Sequence, residues 1–154
     1  MFTKLVEVRG QDFTKKMAIV VRDDLPPWQV LNVVSHIAAY LGNKMKVPFD
    51  TGEWFMTHDG VRYPRNSQFP IIVLSAKEKD LRPFMQAVRD SKLPYLAFIR
   101  EMIETTDDTE LQATLSKKTE AEIEYLGIGV FGSNDIVKPL TKRFSLWTDP
   151  GARV

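Results

Sequence analysis

Residues 16–38 read KMAIVVRDDLPPWQVLNVVSHIA, and the fold class follows from how this stretch changes rhythm. Its first seven residues, Lys16 to Arg22, are a short apolar run rich in β-branched side chains, which predicts a buried strand. Asp23-Asp24-Leu25-Pro26-Pro27 interrupts it, and prolines are well tolerated at a helix start. Helical spacing then sets in. Val30, Val34, Ile37 and Leu41 share one face, and Gly42-Asn43 offers a stop signal.

The same alternation continues along the chain. Residues 43–69 are the least regular stretch, and within them EWFMT-HDG-VRY reads as a hairpin turning at Asp59-Gly60. Ile71 to Ser75 (IIVLS) is a second buried strand. Leu81, Phe84, Met85 and Val88 then fall at helical spacing, with Pro83 placed in the first turn. Tyr95 to Ile99 (YLAFI) and Tyr125 to Phe131 (YLGIGVF) are the third and fourth core strands. Between them, Asp107 with Glu110 and Thr119 with Glu122 fit helix-start signals. A short helix from about Asn134 to Leu140, an edge strand at 143–147 and a loose tail from 148 complete the reading. The expected architecture is a single domain with its core at 16–147: a three-layer α/β/α arrangement around a mixed sheet of four or five strands.

Composition narrows the function classes. A chain of 154 residues with 44% hydrophobic side chains is long enough to bury a substantial core. It has no cysteine, which excludes disulfides and thiolate metal sites. No run approaches the ~20 apolar residues that span a bilayer, and MFTKLVEVRGQDF lacks the apolar segment of a secretion signal. A cytoplasmic protein without a membrane partner is therefore expected. The net charge of +1 shows no basic excess, so any tRNA-binding surface would have to be assembled by folding.

Several residues carry chemistry. Gln29, Asn32, His36 and Tyr40 form a polar stripe beside the apolar helix face, where His36 could act as a general base and Asn32 could orient a substrate. Equally, His36 could be satisfied by a carbonyl at the sheet edge. Asp23 and Asp24 end the first strand, where open α/β sheets tend to place ligands, and they could instead cap the following helix. Glu101 and Thr105 follow the third strand, at the same end as Asp23 if those strands run alike; the alternative is a helix-start cluster. His58 reads as an exposed turn residue. Without further ligands at suitable spacing, neither a metal nor another cofactor is expected. Gly127-Ile128-Gly129-Val130-Phe131-Gly132 satisfies G-x-G-x-x-G, but it sits inside a strand, so close packing or a bulge explains it better than a dinucleotide site. Trp28, Trp54, Phe55 and Tyr63 read as core or dimer contacts rather than base-stacking surfaces.

Taken in series, VVRDDLPPWQVLNVVSHIA (20–38), IIVLSA (71–76), KLPYLAFI (92–99) running into Arg100-Glu101-Met102-Ile103-Glu104-Thr105, and LGIGV (126–130) resemble the type 2 peptidyl-tRNA hydrolases. The HDG hairpin, FPIIVL and YLGIGVFG look more closely like an uncharacterised bacterial branch of that superfamily. The resemblance covers roughly residues 16–147. It implies that fold and a cleft in which His36 activates water, Glu101 and Thr105 position it, and Asn32 or backbone amides hold the oxyanion. The substrate implied is an ester of the peptidyl-tRNA type. The match departs at two places: Gln29 stands where the hydrolases carry a lysine, and Val33 where they carry a glutamine. Glutamine cannot supply a positive charge to developing negative charge or phosphate. A non-catalytic relative that binds a small ligand in the same cleft, or a homodimeric interaction module using the hairpin, are the alternatives.

Overall fold

The computed structural model describes residues 10–45 and 54–149. The first nine residues, part of the irregular stretch and the end of the expected tail lie outside the described residues.

The apolar run forms β1 (Lys15–Arg22), and α1 (Pro27–Lys44) follows it directly. Gly42-Asn43 does not end this helix, which continues through both residues to Lys44. A hairpin of β2 (Phe55–Met56) and β3 (Arg62–Tyr63) comes next, and Gly60 supplies the positive φ of 90° that its turn requires. Then come β4 (Ile71–Ala76), α2 (Glu78–Ser91), β5 (Tyr95–Ile99), and two short helices, α3 (Arg100–Glu104) and α4 (Asp108–Leu115). A single 3-10 turn at Glu120–Glu122 leads into β6 (Tyr125–Ser133), α5 (Asn134–Thr141) and β7 (Ser145–Leu146). Pro83 lies in the second turn of α2 rather than the first, since the helix begins at Glu78. The Lys79 carbonyl that Pro83 leaves without a helical donor is on an exposed residue, where water can replace it.

The strands form a five-stranded sheet in the order β5-β6-β1-β4-β7, and the hairpin forms a separate two-stranded sheet. Among the described strands only β1 and β4 pair in parallel. β6 is antiparallel to both β1 and β5, so β1, β4 and β5 still point the same way. Side chains alternate along β1. Met17, Ile19 and Val21 face α1, joining Val30, Val33, Ile37 and Leu41; Ala18 and Val20 face α2 and α5, joining Phe84, Met85 and Val137.

Two local features sharpen this packing. In β6 a Cβ at Gly127 would come 2.5 Å from Val33 Cγ1, and one at Gly129 would come 2.0 Å from Ile37 Cγ2. These glycines let α1 lie against the strand backbone. Phe98 pairs with Gly127 but Ile99 pairs with Tyr125, so Leu126 is the extra residue of a bulge. Leu126 consequently turns to the α1 side and Tyr125 to the α2 side.

Candidate functional site

Because β1, β4 and β5 run alike, their C-terminal ends converge at one end of the sheet, where β6 begins. Charged residues gather there. Arg22 is only 7% exposed, and an ion buried this far needs partners. Its Nε donates to Asp24 Oδ1 and its Nη1 to Glu124 Oε1, each at 2.5 Å. Burial alone would lower the Arg22 pKa, but the bonds to Glu124 and Asp24 outweigh it and hold the guanidinium above its ordinary value. Arg100 donates to the same Glu124 at 3.1 Å and, through Nη1, to Gln29 Oε1 at 3.4 Å. Hydrogen bonds from Arg100, and then from Arg22, keep the Glu124 carboxyl below the usual glutamate range.

This network corrects the capping reading of the aspartates. The N-cap of α1 is Pro26, with no side-chain bond, while Asp24 is taken by Arg22 and Asp23 is exposed. An arginine pointing back along the strand end offers Asp24 a charge-assisted partner that a helix N–H cannot match.

His36 lies on α1, and its ring sits 5.5 Å from that of Phe98. It is exposed, and among the described residues its imidazole makes no hydrogen bond. Asn32 is likewise exposed one turn earlier. Beside His36 is a hollow of about 240 Å³, with apolar surface from Phe98, Met102 and Leu111 and polar surface from His36 and residues 105–108. Thr105 therefore shares a hollow with His36. Its hydroxyl is already committed, donating to the Glu101 carbonyl at 2.7 Å.

Glu101 is buried, its side chain 3% exposed, and Lys118 Nζ donates to its Oε1 at 2.7 Å. Its other oxygen, Oε2, is buried without a hydrogen-bond partner among the described residues. The hydrogen bond to Glu101 raises the Lys118 pKa. Glu101 is not among the residues that line the hollow beside His36. Lys118, Arg22, Arg100 and Glu124 escaped the sequence reading as site residues. The signal available for two of them was an arginine directly ending one strand and another directly following a second.

Of the two places expected for the aromatic residues, core or dimer contact, the core is excluded: Trp28 is 59% exposed, Trp54 48%, Phe55 47% and Tyr63 55%. Among the described residues no group of three His, Asp or Glu side chains is placed to hold a metal, and no helix is long and apolar enough to cross a membrane.

Residues 15–148 match the model of a protein family of unknown function, DUF2000. The chain belongs to the DUF2000 family. No curated protein matches it. Among solved structures, this DUF2000 chain is similar to a protein of unknown function, Atu0240, from Agrobacterium tumefaciens str. C58. The two share 25% identity over 89% of this chain and 100% of that one, with a TM-score of 0.73. DUF2000 membership thus covers β1 through β7, including every site residue considered above.

Proposed function

We propose that this chain is a ligand-binding relative of the type 2 peptidyl-tRNA hydrolases in which the ester-cleaving apparatus is not assembled. The supporting observation is the direction of Glu101. A carboxylate that helps a histidine activate water must face the water, whereas Glu101 is buried against Lys118 at 2.7 Å. The rest of the cleft agrees. Gln29 replaces a lysine, and Arg100, which donates to it at 3.4 Å, is engaged by Glu124. Among the described residues His36 has no orienting partner, which a base in a triad-like arrangement needs. We read the layering, α1 over one face and α2 with α5 over the other, as peptidyl-tRNA hydrolase II-like, inherited without its reaction.

The hollow beside His36 is smaller than the ~300–1,000 Å³ of drug-sized pockets, so its ligand is small. His36 and Phe98 offer ring surfaces, and Asp107 and Asp108 offer carboxylates; a flat ring bearing an amine suits both.

The test has two arms. Pure protein incubated with N-acetyl-aminoacyl-tRNA is expected to release no tRNA above a buffer control. Release that disappears in both His36→Ala and Glu101→Ala would restore the hydrolase reading, which the shared hollow of His36 and Thr105 favours. In the second arm, tyramine is expected to shift the His36 imidazole resonances while 4-hydroxyphenylacetate leaves them in place. Failure of both to shift them would sink the small-ligand reading.

A further inference from the structure

The strand β5 closes one side of the sheet: β6 pairs with one of its edges, and among the described residues no strand pairs with the other. The Phe131 N–H donates to the Pro94 carbonyl at 3.2 Å, and the register continues as Tyr95↔Val130, Leu96↔Gly129 and Ala97↔Ile128. In an antiparallel ladder the hydrogen-bonded residues alternate, so 94, 96 and 98 turn their backbone groups toward β6. Tyr95 and Ala97 turn theirs outward. Among the described residues no backbone or side-chain group bonds to them there.

Proteins usually blunt such an edge with a charge, a proline or a bulge on the strand. Here Tyr-Leu-Ala-Phe-Ile carries no charge and no proline, and the bulge opposite it belongs to β6. The edge opens instead into a groove of about 990 Å³, whose apolar surface includes Leu93, Leu115, Ile123 and Phe131. Four cations border it, Lys15, Arg89, Lys92 and Lys118, against one carboxylate, Glu120. Arg89 is 3.6 Å from Glu120 and Lys118 is held by Glu101. Lys15 and Lys92 make no salt bridge among the described residues.

We infer that the outer edge of β5 accepts an extended peptide carrying acidic side chains. The peptide adds as a sixth strand, exchanging main-chain hydrogen bonds with Tyr95 and Ala97 while its carboxylates lie beside Lys92, with Lys15, further in on β1, adding to the positive field of the groove. Strand addition of this kind takes its affinity from the main chain and its selectivity from the flanking pockets and charges. The surplus of positive charge argues against a second copy as the occupant, because two-fold pairing of β5 would set two cationic rims against each other. This site is separate from the hollow beside His36, so it stands or falls independently of the proposed function.

A fluorescein-labelled peptide of alternating valine and aspartate, eight residues long, would be titrated with the full chain and followed by anisotropy. The control replaces every aspartate with lysine. Saturable binding is expected for the acidic peptide alone. Ala97→Pro removes one outward N–H, at an edge where proline is tolerated, and should weaken binding about ten-fold. The double variant Lys15→Glu/Lys92→Glu alters only side-chain charge and should also weaken it about ten-fold. If Ala97→Pro fails to fold by circular dichroism, the charge variant decides. No saturable binding, equal binding of both peptides, or binding indifferent to the charge variant would overturn the proposal. So would a dimer by sedimentation that Ala97→Pro dissociates, because the edge would then belong to a second copy.

Discussion

At Gly129 a single methyl group would stand 2.0 Å from Ile37 Cγ2 and 3.1 Å from Leu41 Cδ1. Ile37 is β-branched and fully buried, so that methyl cannot swing aside without moving α1. Gly129→Ala is therefore expected to cost about 1–3 kcal/mol in urea denaturation, the usual range for overpacking. Gly10→Ala, where nothing among the described residues lies within 4 Å, serves as the neutral control. The reading of these glycines as packing positions was available from their place inside a strand. The turn of Glu101 toward Lys118 was not, because the partner is seventeen residues away, beyond α4. Nothing in REMIETT says which of two buried directions a carboxylate will take.

Element by element, helix starts were legible where the cap is local. Asp107 accepts from the Glu110 N–H at 2.8 Å, and the Glu110 carboxylate returns to the Thr106 N–H at 2.9 Å. Both bonds close within four residues, so the pattern is visible in the sequence. Asp107→Ala should cost about 1 kcal/mol and leave the rest of the fold intact, read by thermal unfolding and by loss of amide protection confined to 106–115. Protection unchanged across α4 would mean that the cap carries no stability. The aspartates before α1 misled by the same logic. They had the composition of a cap, but a buried Arg22 at the strand end competed for Asp24 and won.

Across the molecule, the end of the sheet is tied together by Glu124, which joins β1 through Arg22 and the start of α3 through Arg100. Its carboxyl lies below the ordinary 4.5, first through the Arg100 bond and then through Arg22. The unfolded chain therefore binds more protons than the folded one in this window. The stabilisation is fully present above about pH 4.5 and is lost as pH falls through the lower, folded value. Glu120, lowered by the Tyr125 hydroxyl and then by Arg82 and Arg89, adds to the same acid limb. Stability measured by urea from about pH 3 to 7 should fall more steeply on acidification in the parent than in Glu124→Gln. Parallel curves for the two would show that this tie contributes nothing.

The sequence by itself determined the order of strands and helices, the two-faced core and the hairpin turn. Each of these depends on periodicity or on contacts within a few residues, which a chain carries with it before it folds. Only the tertiary structure decided that β1 has one parallel neighbour, that Gln29 lies against Arg100, and that Glu101 faces Lys118 while His36 faces Phe98. Those pairings join residues distant in sequence. Their geometry is set by how α1 seats on the glycines of β6 and by where the bulge at Leu126 turns the strand.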